Sequence, residues 1–317
     1  MTLHQNVLGV DVAKDWIDIC DPASGQVRRI ETAPRALKRF VRGLSDTLVV
    51  FEASGGYDRP LAEALEAPGL KDRGVAYARV NPGRAREFAR ATGRLAKTDK
   101  VDARVLAEMG RALDLKPTPP VDPARRRLAE LVARREDLVG MITAETQRFA
   151  QARDRFVSAD IRGVLLVLRR RKLATDREIA AHKRQNSELA AIDARLRTAP
   201  GIGPSLASVI AAYLPELGQI DRRAIASLGG LAPHARDSGH SRGRRSCWGG
   251  RAGIRRALYI AAFIASRRDP ELKAMRARLQ AAGKPFKVAI IALARKLLTI
   301  LNAMIRDHRD YQPRTPA

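Results

Sequence analysis

Alternating and continuous apolar runs give the chain its first divisions. Residues 7–21 (VLGVDVAKDWIDICD) begin as an apolar strand carrying Asp11 at its middle and run straight into a second strand at 16–20. Pro22-Ala23-Ser24-Gly25 reads as a tight turn and 26–32 returns as a third strand, so the segment predicts a meander. A basic amphipathic helix from Pro34 to about Leu44 follows. Then a fully apolar strand at 47–51 (TLVVF) delivers Glu52 and the turn Ala53-Ser54-Gly55-Gly56. A helix near 59–66, a strand at 74–80 and a basic segment from Asn81-Pro82 to Thr92 lead to a helix beginning within 97–104 (KTDKVDAR).

From 117 to 123 the composition turns to proline, which marks a linker and the first domain boundary. A long polar helical region runs on to about Arg197, with a break expected near 158–163. Its first arm carries Leu128, Leu131, Leu138, Ile142 and Phe149, with Arg135 and Glu145 at intervening register positions; a second carries Ile179, Leu189, Ile192 and Leu196. So narrow a seam predicts an antiparallel coiled-coil hairpin or a dimer contact, with a helical spacer as the blander alternative. At 198–204 (TAPGIGP) the helix stops, and an apolar helix at 205–214 follows. Residues 225–233 (IASLGGLAP) lead into an irregular or hairpin segment, 234–246 (HARDSGHSRGRRS). Gly249-Gly250-Arg251 opens a helix at 254–266, helices near 272–281 and 286–306 close the fold, and the tail 311–317 is expected to be loose. The expected domains are therefore 1–116, 117–197 and 198–317.

Charge changes this picture from a fold to a partner. The 317 residues hold 59 Lys+Arg against 34 Asp+Glu, a net charge of +25, which a folded protein tolerates best when an extended polyanion neutralises it. Nucleic acid is the first partner implied. Apolar runs such as 259–265 and 288–294 are too short to span a bilayer, and no secretory or transit segment opens the chain, so a cytoplasmic protein without a membrane partner is expected. Two cysteines, Cys20 and Cys247, provide neither a disulfide framework nor a sulfur-based zinc site. Aromatics make up only 4%, which favours contact through phosphates over stacking platforms for single strands.

The candidate chemistry lies in acids and hydroxyls. Asp11 inside an apolar strand needs compensation, by a bound cation or by partial exposure at a strand end. Glu52 ends a strand at the edge where ligands collect in open α/β sheets, so the two acids converge if their strands are neighbours. Asp99 and Asp102 are three apart and share a helix face; a cation between them, or the helix N-terminal dipole alone, accounts for the pair. Gly201 and Gly203 flank Ile202 as in helix-hairpin-helix modules that grip DNA phosphates, or as in an ordinary helix connection. Ser238, Ser241 and Ser246 lie among Arg236, Arg242, Arg244 and Arg245, with Arg251 and Arg255 following. Such arginines fork onto phosphate, whether as a basic clamp or to stabilise charge as a serine oxygen attacks phosphorus. His234 and His240 lack further metal-type neighbours and read as phosphate or structural contacts.

Together VLGVDVAKD, FEASGGYD, KTDKVDA, GIGPSLA and GLAPHARDSGHSRGRRSCWGGRAGIRRALYIAA resemble the transposases of the insertion-sequence one-ten family, recombinases guided by a bridge RNA. The resemblance implies an N-terminal domain of the α/β ribonuclease H-like class, similar to Holliday-junction resolvases, a helical coiled-coil middle and a mostly α C-terminal transposase domain. It places an acidic tetrad on Asp11, Glu52, Asp99 and Asp102, holding magnesium or manganese, and a nucleophilic serine on Ser238, with Ser241 and Ser246 as fallbacks. It further implies double-stranded donor and target DNA, a structured guide RNA and a homo-oligomer, dimer or tetramer, as partners. A hydrolytic junction-resolving nuclease and a non-enzymatic DNA-binding protein remain the alternatives.

Overall fold

The structure, a computed structural model, describes residues 6–94, 99–234, 237–238, 241–242 and 245–313. The chain divides into two units, Met1–Pro120 and Val121–Ala317.

Unit 1 is built on a five-stranded mixed sheet. Its elements are β1 (Asn6–Val12), β2 (Trp16–Asp21), β3 (Gln26–Glu31), α1 (Pro34–Arg42), β4 (Thr47–Glu52), α2 (Arg59–Leu65), β5 (Ala76–Val80), α3 (Pro82–Ala91) and α4 (Asp99–Ala112). The strand order is β3-β2-β1-β4-β5: the meander pairs antiparallel, while β4 and β5 add in parallel beside β1. Both sheet faces are covered, which is why β4 reads as an unbroken apolar run. On one face Val10, Ile17, Ile19, Val49 and Phe51 pack with Leu37, Phe40 and Leu61 of α1 and α2. On the other, Val7, Leu48 and Val50 meet Leu106 and Met109 of α4 and Ala85 of α3. The expected basic segment after Asn81 is helical, capped by the Asn81 side chain, which accepts from Gly83 N–H.

Close backbone approach fixes how α4 lies. A Cβ on Gly9 would fall 2.0 Å from the carbonyl oxygen of Ala103 and 2.3 Å from the nitrogen of Ala107, and one on Gly110 would strike Val7 and Val50. Ala103 therefore rests on Gly9 and Gly110 on Val7. The helix runs opposite to β1, with its N-terminus toward the carboxyl ends of β1 and β4.

Among its described residues, unit 2 is helical apart from four two-residue strands and the connecting turns. It begins with α5 (Pro123–Gln151) and α6 (Arg155–Arg184), an antiparallel hairpin tied by Arg127–Glu178 and Arg135–Asp176 ion pairs at 2.6 Å each and by Arg162 over the Phe149 ring. The break expected near 158–163 falls earlier, at 152–154: Ala152 is extended and the Asp154 carboxylate caps α6 by accepting from Val157 N–H. A second break, made by Asn186 as the cap of α7 (Ser187–Thr198), separates Ile179 from Leu189. Next come α8 (Pro204–Tyr213), α9 (Arg222–Leu228), two short ribbons pairing β6 (Pro233–His234) with β9 (Ser246–Cys247) and β7 (Asp237–Ser238) with β8 (Ser241–Arg242), then α10 (Ala252–Arg268), α11 (Pro270–Ala281) and α12 (Phe286–Arg306). One core joins Leu128 and Val132 of α5 to Leu196, Ile210, Leu258 and the α12 row Leu293, Leu297 and Leu301. Contrary to the short apolar runs of the sequence, α12 is long and apolar enough to cross a membrane, but its leucine row is fully buried in this core.

Candidate active site and nucleic-acid interface

Two acids far apart in the sequence lie side by side. Parallel pairing of β1 with β4 ends at Val10 opposite Phe51, so Asp11 and Glu52 are the next residues along neighbouring strands. Gly9 and Val50 are register partners facing α4, and Asp11 and Glu52, two residues on, face the same way. Asp11 is the penultimate residue of β1, not its middle, and is half-buried; Glu52 closes β4 and is half-buried too. This strand-end position meets the cost of burying Asp11 in part through solvent.

Helix α4 brings the other acidic pair to the same edge. Asp102, half-buried, precedes the Ala103 that rests on Gly9, and Asp99 begins the helix a turn closer to the open end. The Asp99 side chain lies outside the described part of the structure. Among the described residues, no three His, Cys, Asp or Glu side chains cluster closely enough to hold a metal ion. Asp11, Glu52 and Asp102 thus share one edge and one face without closing into a cage by themselves.

Two buried carboxylates that the sequence reading passed over brace this edge. Asp18 lies opposite Asp11 across β1 and β2 and is 2% exposed. Arg29, its register partner on β3, meets it with both ends of its fork, Nε at 2.9 Å and Nη2 at 2.6 Å. Asp58, 1% exposed, accepts from Ser54 N–H at 3.1 Å and pairs with Arg79 of β5 at 2.6 Å, pinning the loop that leaves Glu52. The signal for Asp18 was available: an acid inside WIDIC needs a counter-charge, and Arg28-Arg29 sit on the returning strand.

In unit 2 the serines lie on the ribbons. Ser238 and Ser241 are register partners on β7 and β8, while Ser246 pairs with His234 on the second ribbon. The segment is thus hairpin in character. Arg236, Arg244 and His240 lie outside the described residues, as do the side chains of His234, Ser238, Ser241 and Arg242. Arg245 is exposed.

The two following arginines have internal partners. Arg251 forks onto Glu216 with both contacts at 2.6 Å and donates to the Tyr213 carbonyl at 2.8 Å. Burial alone would raise the Glu216 carboxyl; the Arg251 fork outweighs it and holds the group below its ordinary range. Arg255 donates to the carbonyls of Gly249 at 2.8 Å and Gly230 at 3.3 Å, framing both ends of the serine segment. The glycines of the Gly201-Ile202-Gly203 turn also differ. Gly201 has φ +80° and its missing Cβ would fall 2.3 Å from the Ala261 carbonyl oxygen, so α10 demands glycine there. Gly203 is exposed, with open space around its Cα, and caps α8, where backbone N–H groups face outward.

These features meet known proteins along most of the chain. Residues 8–156 match a DEDD-type IS110 family model described as Transposase, and residues 193–277 match one described as Transposase IS116/IS110/IS902 family. The pilin gene-inverting protein of Moraxella bovis is 28% identical over 98% of this chain and 99% of its own length, and that of Moraxella lacunata is 27% identical over the same shares. An uncharacterised 43.6 kDa protein of insertion element IS110 from Streptomyces coelicolor is 34% identical over 38% of this chain, a match spanning 31% of that protein. With an N-terminal match that takes in the sheet and its acids and a C-terminal match spanning the serine ribbons, the chain is similar on both sides to transposase domains of the IS110 family.

Proposed function

We propose that the protein is a DNA transposase, a site-specific recombinase of an insertion sequence that cuts and exchanges strands through a phosphoserine intermediate. The observation that carries this reading is the shared edge: Asp11 and Glu52 at adjacent strand ends, with the acidic start of α4 against the same face. The mixed sheet supports a ribonuclease H-like reading of unit 1, and the long hairpin of unit 2 supports a coiled-coil arm.

The donor set fits a hard divalent cation. Its atoms are carboxylate oxygens, with no thiolate or imidazole among Asp11, Glu52, Asp99 and Asp102. Magnesium, or manganese, bound there supplies Lewis-acid stabilisation of the charge that builds at the phosphate. The chain's residues do the rest. The four acids would hold that cation beside the α4 N-terminus, whose dipole favours anions. Asp18, cancelled by Arg29, sits opposite Asp11 without adding a second net negative charge to it. Ser238 Oγ forms a bond to phosphorus as the strand's P–O bond breaks; the seryl proton leaves to a base and the departing oxygen ends as a hydroxyl. Reversal by a hydroxyl of another strand rejoins DNA without a nucleotide triphosphate.

Strand exchange is favoured over simple nicking by the full-length relatives named for inverting a pilin gene. Double-stranded DNA is the substrate, with a structured RNA as guide and a homo-oligomer as the working assembly. Asp11→Asn is the test. Magnesium-dependent nicking of element-end DNA should fall by at least about 100-fold, a loss in line with removal of one strong transition-state contact, while DNA affinity stays within about twofold. Unchanged nicking would overturn the assignment, and a wild-type protein that binds without cutting would favour a DNA-binding role.

A further inference from the structure

The acid edge has an aromatic neighbour. Trp16 opens β2 on the same face as Asp18 and therefore as Asp11, and it remains 38% exposed. It is held in place on several sides. Arg29 lies over its ring at 4.7 Å, and that guanidinium is itself locked by the buried Asp18. Ala13 N–H donates to the Trp16 carbonyl at 3.0 Å, Thr32 N–H donates to the Asp15 carbonyl at 3.1 Å, and the Thr32 hydroxyl donates to the Lys14 carbonyl at 2.8 Å. The turn between β1 and β2 is thus fastened to the end of β3.

A hollow lined by Asp15, Trp16, Arg29, Ile30, Glu31 and Thr32 opens beside the ring. Its polar groups decide what fits. Asp15 and Glu31 repel a phosphate, while the partly exposed indole and the half-exposed Arg29 guanidinium suit a flat, neutral ring. Every nucleobase has such a face, and stacking on it is tolerant of sequence.

We infer that Trp16, backed by Arg29, is a stacking site for one unpaired nucleobase of the DNA strand that crosses the acid edge. The inference rests on the proposed cleavage at that edge and adds the substrate's form there: a strand locally opened beside the scissile phosphate, with a base turned out of the duplex. Opening costs stacking and pairing, and the indole returns part of that cost. It also qualifies the expectation drawn from the low aromatic content, since one well-placed ring suffices for one base.

The test uses the full chain in magnesium-free buffer with element-end DNA carrying aminopurine at successive unpaired positions next to the cut. Wild-type protein should quench or shift the emission at one position. Trp16→Phe should keep that response, and Trp16→Leu, which retains apolar bulk against the Arg29 stem, should lose it and bind the opened DNA about fivefold or more weakly, with duplex affinity unchanged. A response identical in Trp16→Leu and wild type, or none at any position in wild type, overturns the inference. Asp11→Asn separates the two readings: it should leave the aminopurine response intact. If instead that variant still cuts, the cleavage reading fails while the stacking result stands.

Discussion

At the scale of single residues, the fold tolerates little change where backbones touch. Gly9→Ala would drive a methyl into the Ala103 carbonyl, an atom of helix backbone that cannot swing aside. Chemical denaturation should show unit 1 destabilised by about 1–3 kcal/mol or more, the usual cost of overpacking. Arg29 is equally exposed to test. Removing it as Arg29→Met leaves Asp18 buried without its fork, so a loss of about 3–5 kcal/mol is expected, with recovery in the Arg29→Met, Asp18→Leu double variant. Glu216 makes a pH prediction. Its folded-state pKa lies below its unfolded one, so the Arg251 fork stabilises unit 2 fully above the unfolded glutamate range. That contribution is lost as the pH falls through the folded value. Denaturation midpoints compared near neutrality and in the acid range should therefore drop more steeply in wild type than in Arg251→Met.

At the scale of elements, what the sequence shows depends on whether the determining contact is local. The strands at 16–20 and 47–51, the α12 span and the start of α1 at Pro34 all follow from periodicity and proline placement, and they fall where expected. The α5–α6 break does not: Ser158–Gly163 looks weak for a helix, yet Asp154 supplies a cap that a long helix could equally have ignored. That choice is made by the packing of α5 on α6, which no local pattern contains. Asp58 and Lys183 were illegible for the same reason, since their partners come from other elements. Lys183 of α6 reaches Asp193 of α7 at 2.5 Å and Ser208 of α8 at 2.9 Å, a buried staple across three helices. Asp193→Ala should cost about 3–5 kcal/mol by leaving Lys183 uncompensated, and thermal unfolding should show partial rescue by Lys183→Met in the same chain.

At the scale of the whole molecule, charge and chemistry answer different questions. The net charge of +25 governs affinity, so binding should weaken with log salt at a slope near −0.9 for each duplex phosphate neutralised, whatever the state of the acids. Under the proposed function, rate would rest instead on a few carboxylates and one hydroxyl. From the residues alone, Asp11 and Glu52 converge only if their strands are neighbours, a condition that the parallel pairing of β1 with β4 meets. Ser238 could be narrowed only to one of three serines; the ribbon that pairs it with Ser241 keeps both in play. The measurement that decides the account is to trap protein with labelled element-end DNA in magnesium, digest it, and identify the nucleotide-bearing peptide by mass spectrometry. The account predicts a phosphodiester on Ser238, absent from Ser238→Ala and from Asp11→Asn. Cut DNA with free ends and no protein-linked nucleotide, or an adduct on a residue outside 238–246, would contradict it.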